Sequence, residues 1–150
     1  MKKDIQDLLI PIIKNSLKGL NLDKTYDEFL SLDISQDSRY GELSTNIALR
    51  LSKAIAKSPF EIATTLADNI SKDLEASAIK DYIREVRAEG AGFINFYLSN
   101  KYFYEQLHNV ILKGNNFIKA NVGKGRRVLI EFVSANPTGP LSVAHARQAV

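Results

Sequence analysis

Tyr82-Ile83-Arg84-Glu85-Val86-Arg87-Ala88-Glu89-Gly90-Ala91-Gly92-Phe93-Ile94-Asn95-Phe96-Tyr97-Leu98 is the stretch on which the fold turns. Tyr82 to Ala88 and Phe93 to Leu98 read as two strands, and the intervening Glu89-Gly90-Ala91-Gly92 carries glycines suited to a hairpin loop. Successive side chains of a strand alternate between faces, so Ile94, Phe96 and Leu98 share one face and Phe93, Asn95 and Tyr97 the other. The first set is a core face. The second lines up an aromatic ring, an amide and a phenol, which has two readings. A sheet surface of this composition stacks a base and reads its edge. A half-exposed edge face also favours aromatics, for β-propensity alone.

Helical patterns surround the hairpin. Ile5, Leu8, Leu9, Ile12, Ile13 and Leu17 recur at helical spacing, which predicts an amphipathic helix over residues 4–19 with a kink at Pro11, where a backbone donor is missing. Asn21 to Asp27 is a polar connection, Phe29, Leu32 and Ile34 suggest a short strand, and Gln36 to Gly41 a loop. Ser44 to Lys57 reads as a helix with Ile47, Ala48, Leu51 and Ile55 on one face. Ser58-Pro59-Phe60-Glu61 is a capping-box pattern with proline at the first helical position, opening a second helix with Ile62, Leu66 and Ile70 inward. These two make an αα-hairpin. Ser99 is placed to cap a last helix, Asn100 to Lys113, with Phe103, Leu107, Val110 and Ile111 inward; His108 within it is given no function. The expected class is α+β, with helices packed on one face of a small antiparallel sheet.

Composition narrows the function classes. A chain of 150 residues, 45% of them hydrophobic, can bury a core, and one domain plus a remnant is the natural count. The absence of cysteine excludes disulfides and thiolate metal sites, and two histidines far apart make no zinc site, so no metal-ligating residues are expected. Met1-Lys2-Lys3-Asp4 runs into an amphipathic pattern and not an apolar leader, and no run is long enough for a membrane span, which points to a cytoplasmic protein. Residues 1–113 hold 15 Lys/Arg against 16 Asp/Glu, while residues 114–150 hold five against one. The N-terminal part is therefore no polybasic arm, and any RNA contact there works by shape, stacking and a few hydrogen bonds, with a shallow salt dependence. Gly114 to Arg127, rich in Gly, Asn and Lys, marks a boundary; Lys124, Arg126 and Arg127 could meet phosphate, but a charged, solvated linker is the better account.

Near the C-terminus stands Ile130-Glu131-Phe132-Val133-Ser134-Ala135-Asn136-Pro137-Thr138-Gly139-Pro140-Leu141-Ser142-Val143-Ala144-His145-Ala146-Arg147. A β-branched run, Val128 to Val133, stops at a turn-rich segment, and Ser142 is a suitable N-cap for a helix that follows. A strand, a loop and a helix N-terminus in that order form a phosphate-binding corner, although any βα unit has one. The residues themselves go further. They resemble the His-x-Gly-His signature of class I aminoacyl-tRNA synthetases, and the lead-in Glu131 to Pro140 resembles that of the arginyl-tRNA synthetase family. Tyr40-Gly41-Glu42-Leu43-Ser44-Thr45-Asn46-Ile47-Ala48-Leu49 through Ser58-Pro59-Phe60-Glu61-Ile62-Ala63 resembles, more loosely, the additional N-terminal domain of the same family.

The resemblance implies roles. Ser142 and His145 take the catalytic positions of the signature, stabilising charge on ATP phosphates. Pro137, Thr138, Gly139, Ser142, Ala144 and His145 line the ATP site, and Glu131, Ser134 and Asn136 hold arginine, a carboxylate being the natural acceptor for a guanidinium or ammonium. Ser142 replaces the usual first histidine with a shorter, uncharged donor, and Ala144 replaces the glycine on which adenine lies flat; both read as a variant site. Gly90 to Asn95 aligns with the turn and strand that contact the tRNA D-loop, which assigns Phe93 and Asn95 to tRNA binding. The implied organisation is a tRNA-contacting domain over residues 1–115, a linker over 116–126, and over 127–150 the first strand, loop and helix of a Rossmann-type catalytic domain. Its later strands and lysine-rich loop are absent, so the chain is expected to be an N-terminal fragment of a longer enzyme. That enzyme activates arginine with ATP and Mg2+ and transfers it to tRNA-Arg. The parent is expected to be a monomer, and the fragment inactive alone and prone to self-association through its unpaired strand. The alternative that uses no family is a stand-alone α+β RNA-binding or protein-interaction module.

Overall fold

The computed structural model describes residues 5–20, 30–117, 119, 125–129, 131, 133 and 139–149, without the side chains of residues 148 and 149. The chain divides into two compact units, Met1–Leu112 and Lys113–Val150. In the first, in chain order, are helix α1 (Ile5–Lys18), strand β1 (Asp33–Ile34), a 3-10 turn (Ser38–Tyr40), strand β2 (Leu43–Thr45), helices α2 (Ile47–Ile55) and α3 (Pro59–Glu75), strands β3 (Ile83–Glu89) and β4 (Phe93–Leu98), and helix α4 (Asn100–Lys113). The strands form one antiparallel sheet in the order β1-β2-β4-β3. The class is α+β with a small antiparallel sheet, as its hairpin implied.

The hairpin closes through Gly90 at φ 58 and Gly92 at φ 121, conformations that cost residues with a Cβ dearly. Its core face is Ile94, Phe96 and Leu98, exposed by 0%, 0% and 6%. Leu43 and Thr45 of β2 lie opposite Phe96 and Ile94, and Val86 and Ala88 of β3 flank them on the other side. Helix α3 packs against β3 and β4, α2 against β4 and α3, and α1 against α3. Leu9 and Ile13 of α1, Ile47 and Leu51 of α2, and Ile62, Leu66 and Ile70 of α3 are enclosed between these elements. A hydrogen bond from Ser16 Oγ to Asp73 Oδ2, at 2.7 Å, ties α1 to α3 at one end.

Helix α1 is the single helix expected, with Pro11 inside it on the exposed side. Several other expectations need correction. Ser44 and Thr45 belong to a strand, because pairing with β4 satisfies their backbone better than a helical turn; the helix starts only after Asn46, with the Ile47 N–H donating to Thr45 Oγ1 at 3.3 Å. Ser58 makes no side-chain cap bond and serves through its carbonyl, which accepts from Ile62 N at 3.1 Å. Strand β4 is interior to the sheet, not an edge. Phe29 lies outside the described residues, and the strand proposed around it shrinks to Asp33–Ile34.

Helix α4 departs most from its pattern. Phe103, Leu107, Val110 and Ile111, expected inward, are 44%, 57%, 39% and 68% exposed, and no residue of the helix is buried. The periodicity is there, but among the described residues nothing covers that stripe. Its N-terminus is firmly anchored: Tyr102 N donates to the Ser99 carbonyl, and Ser99 Oγ to the Asp81 carbonyl.

In the second unit the helix is α5, Val143–Ala149. Val128, Leu129, Glu131 and Val133, the described residues of the expected 128–133 strand, belong to no strand, and Val133 has φ 53. A strand is stable only when paired, and among the described residues of this unit there is no neighbour to pair with. Among the described residues no helix is long and apolar enough to cross a membrane.

Candidate functional site

The face of the sheet turned away from α2 and α3 carries the candidate site. Antiparallel register puts directly opposed residues on the same face. Asn95 at the centre lies between Ser44 on β2 and Arg87 on β3, Phe93 lies opposite Glu89, and Tyr97 opposite Glu85. Phe93 is 41% exposed, whereas Asn95 and Tyr97 are 2% and 7% exposed. This face is therefore largely covered, and what covers it is polar.

Glu89 is the hub of that cover. Its Oε2 accepts from Asn95 Nδ2 at 2.9 Å, while Oε1 accepts from Arg87 Nη1 at 3.3 Å and lies 3.3 Å from the Tyr97 hydroxyl. The same hydroxyl donates to the Arg39 carbonyl at 3.0 Å, which joins β4 to the turn before β2. Burial first, then the Glu89 charge, pushes the Tyr97 phenol above its ordinary pKa, so it stays a donor. The guanidinium carbons of Arg84 and Arg87 lie 5.5 and 5.4 Å from the Tyr97 ring centroid, within cation–π range. Arg87 is also bound to Glu85, at 2.6 and 2.9 Å.

Beside this network opens a cleft of about 390 Å³ between the Ser35–Tyr40 segment, Ser44 and the hairpin tip Glu89–Ala91, with Phe93 and Asn95 in its lining. That size falls within the range of small-ligand sites. Two glycines hold its walls in place. A Cβ on Gly41, at φ 76, would sit 2.5 Å from the Phe96 carbonyl oxygen, and one on Gly92 would meet Pro59 at 2.8 Å. The 35–41 wall thus lies directly on the backbone of β4, and the hairpin base on the start of α3. Asp37 stiffens the wall by accepting from Arg39 N at 2.9 Å and pairing with its guanidinium at 2.6 Å; that hydrogen bond holds the Asp37 carboxyl below its usual pKa. Tyr40, 49% exposed, stands at the rim with the Arg39 guanidinium 5.8 Å from its ring.

Chemically the cleft offers an exposed ring, a buried amide, a serine hydroxyl and carboxylates already engaged. That set suits stacking and hydrogen-bond readout of a planar polar group. Among the described residues no three His, Asp or Glu side chains converge as metal ligands would. Phe93 and Asn95, singled out from the strand pattern, do meet in one cleft. Ser44, Tyr40 and Glu89, which share it, were not singled out; only the β2–β4 register and the path of the 35–41 turn bring them there.

In the second unit Ser142 and His145 are in contact. The backbone N–H of Ser142 donates to His145 Nδ1 at 2.8 Å, and Ser142 Oγ lies 3.0 Å from the same nitrogen. With Nδ1 accepting, the ring proton is on Nε2. The imidazole thus caps its own helix from the N3 position, as a glutamate does in a capping box. Val133, Leu141, Ser142, Val143, His145 and Ala146 line a shallow depression of about 310 Å³ there. Glu131, Gly139 and Ala144 are exposed. Ser134, Asn136, Pro137 and Thr138 lie outside the described residues.

Residues 7–98 match the family described as the arginyl tRNA synthetase N terminal domain. The chain is 35% identical over 147 residues to the arginine–tRNA ligase of Ruminiclostridium cellulolyticum, covering 98% of this chain and 25% of that protein. It is 37% identical over 145 residues to the arginine–tRNA ligase of Staphylococcus epidermidis, with 97% and 25% covered. To that of Staphylococcus aureus (strain JH9) it is 39% identical over 120 residues, with 80% and 21% covered. The chain thus spans about a quarter of the length of the first two of these relatives.

Proposed function

We propose, from the premise that this chain belongs to the arginyl-tRNA synthetase family and contains its N-terminal domain, that the polar face of the sheet is its tRNA-contacting surface. Phe93 stacks on an unpaired base of the D-loop of tRNA-Arg, and Asn95 hydrogen-bonds the edge of that base. The observation that carries this reading is the meeting of an exposed aromatic and a buried, hydrogen-bonded amide in one cleft of ligand size. The first unit has no excess of basic residues, so recognition rests on stacking and edge contacts, with phosphate attraction secondary.

For the longer enzyme, the proposed reaction is that of the relatives' name. The arginine carboxylate attacks the α-phosphate of ATP, pyrophosphate leaves, and a ribose hydroxyl of tRNA-Arg then displaces AMP; Mg2+ bound with ATP would offset the charge of its phosphates. Residues 127–150 are proposed to be the first strand, loop and helix of the Rossmann-type catalytic domain, with residues 1–115 before the linker as the tRNA-contacting domain. Glu131, Ser134 and Asn136 would bind arginine, and Pro137, Thr138, Gly139, Ser142, Ala144 and His145 would bind ATP. The Ser142–His145 contact supports this assignment, since with Nδ1 accepting from the cap the ring proton sits on Nε2, where it can donate to an oxyanion. The isolated chain is proposed to be inactive in aminoacylation and to self-associate through the apolar 128–133 segment, whose Val128 and Leu129 are 70% and 90% exposed. The parent is proposed to be a cytoplasmic monomer.

The test is a titration of this chain with tRNA-Arg against an unrelated tRNA at two salt concentrations. Selective binding that survives the higher salt, and is lost in Phe93→Ala and Asn95→Ala, is the expected result. Binding that is nonspecific and abolished by salt would reject the reading.

A further inference from the structure

Glu89 reaches Asn95, Arg87 and Tyr97 at once, and this has a consequence for what the cleft selects. We propose that Glu89 is the positioning residue of the cleft: it locks the Asn95 amide with Oδ1 toward the ligand, so that the site selects a base edge presenting an N–H donor. The proposal rests on the RNA-contacting reading above.

An ionised carboxylate only accepts hydrogen bonds, whereas an amide has a donating end and an accepting end. At 2.9 Å from Glu89 Oε2, only Nδ2 of Asn95 is tolerated; the flipped amide would set two oxygens against each other. At 2% exposure the side chain has no room to escape by rotating outward. Among the described residues its Oδ1 has no hydrogen-bond donor, yet it is not enclosed: the one sealed and unpartnered side-chain oxygen or nitrogen among them is Asn46 Oδ1. Asn95 lines the cleft, so Oδ1 opens there as an acceptor. The matching ligand atom is an imino or amino N–H of a base.

The charge distribution agrees. Glu89 and Asp37 both line the cleft, so a phosphate inside would face two carboxylates and is excluded in favour of a neutral base. The Arg39 and Arg87 side chains, 79% and 52% exposed and each paired with a carboxylate, stand outside the lining of the cleft, on the side of the flanking backbone.

The test uses Glu89→Gln, which keeps size and shape but carries both a donor and an acceptor, so that both orientations of the Asn95 amide become acceptable. The probes are four tRNA-Arg transcripts that differ in one base, the one that the wild-type chain protects from chemical modification. The wild-type chain is expected to prefer one base by about tenfold, the value of one good hydrogen bond. Glu89→Gln is expected to bind all four within about twofold of one another, with an unchanged circular dichroism spectrum, while Phe93→Ala weakens all four alike. A tenfold preference retained in Glu89→Gln would overturn the positioning role and leave the RNA reading intact. A wild-type chain that binds the transcripts without preference among bases would also overturn it, and one that binds none of them would overturn both.

Discussion

Ile94, Phe96 and Leu98 on one face of β4 and Asn95 and Tyr97 on the other are nearly equally hidden from water, and the two sets differ in everything else. On one, Ile94, Phe96 and Leu98 meet the apolar sides of α2 and α3. On the other, Asn95 and Tyr97 are held by a carboxylate, guanidinium groups and a backbone carbonyl, each at a defined distance. Burial alone therefore does not separate a core from a site. The core face is held by contacts that have no direction, so it tolerates small shifts; the polar face is held by hydrogen bonds that specify one orientation per group. That is what a surface that must present one atom to a ligand requires.

Substitutions on the two faces should fail differently. The largest stability loss is expected from Phe96→Ala, about 3–5 kcal/mol in urea unfolding, since a fully buried ring leaves a cavity among rigid neighbours. A loss under about 1 kcal/mol would mean that the helices do not pack there as described. Asn95→Leu should cost less, about 1–3 kcal/mol, because Glu89 then loses a donor in a partly enclosed place, and it should also remove base preference in RNA binding. For Phe93→Ala the order reverses: unfolding changes little, while tRNA affinity falls by about 1–3 kcal/mol, the range for one stacked base. Equal damage to folding and binding would deny that this ring is reserved for a ligand. Smallest of all, Leu107→Lys on α4 should stay within about 0.5 kcal/mol in unfolding, as befits a side chain 57% exposed. A larger loss would show that the stripe is covered in solution.

The hairpin was legible because its information is local: period-two alternation, and glycines at the two positions that need positive φ. Helices α1 and α3 were legible from their apolar spacing, and proline at the start of α3 from its missing N–H. Strand β2 was not, since three residues beside a helical pattern carry too little signal, and their pairing with β4 spans about fifty residues of chain. Helix α4 shows the limit of periodicity, which identifies the apolar side of a helix but not whether anything lies against it. For the site, Phe93 and Asn95 follow from alternation together with the family resemblance, whereas Glu89 reads as an ordinary turn residue until its carboxylate is seen between Asn95, Arg87 and Tyr97. Ser142 and His145 are named by the resemblance, and the i to i+3 spacing of the helix start is what brings them into contact.

The most direct measurement is an amide chemical-shift titration of the isotope-labelled chain with tRNA-Arg. The account predicts that perturbations concentrate on the cleft, at Ser35 to Asp37, Tyr40, Ser44 and Glu89 to Asn95, and spare α1 and the exposed stripe of α4. Perturbations centred on α4, or spread evenly over the basic residues and removed by salt, would contradict it.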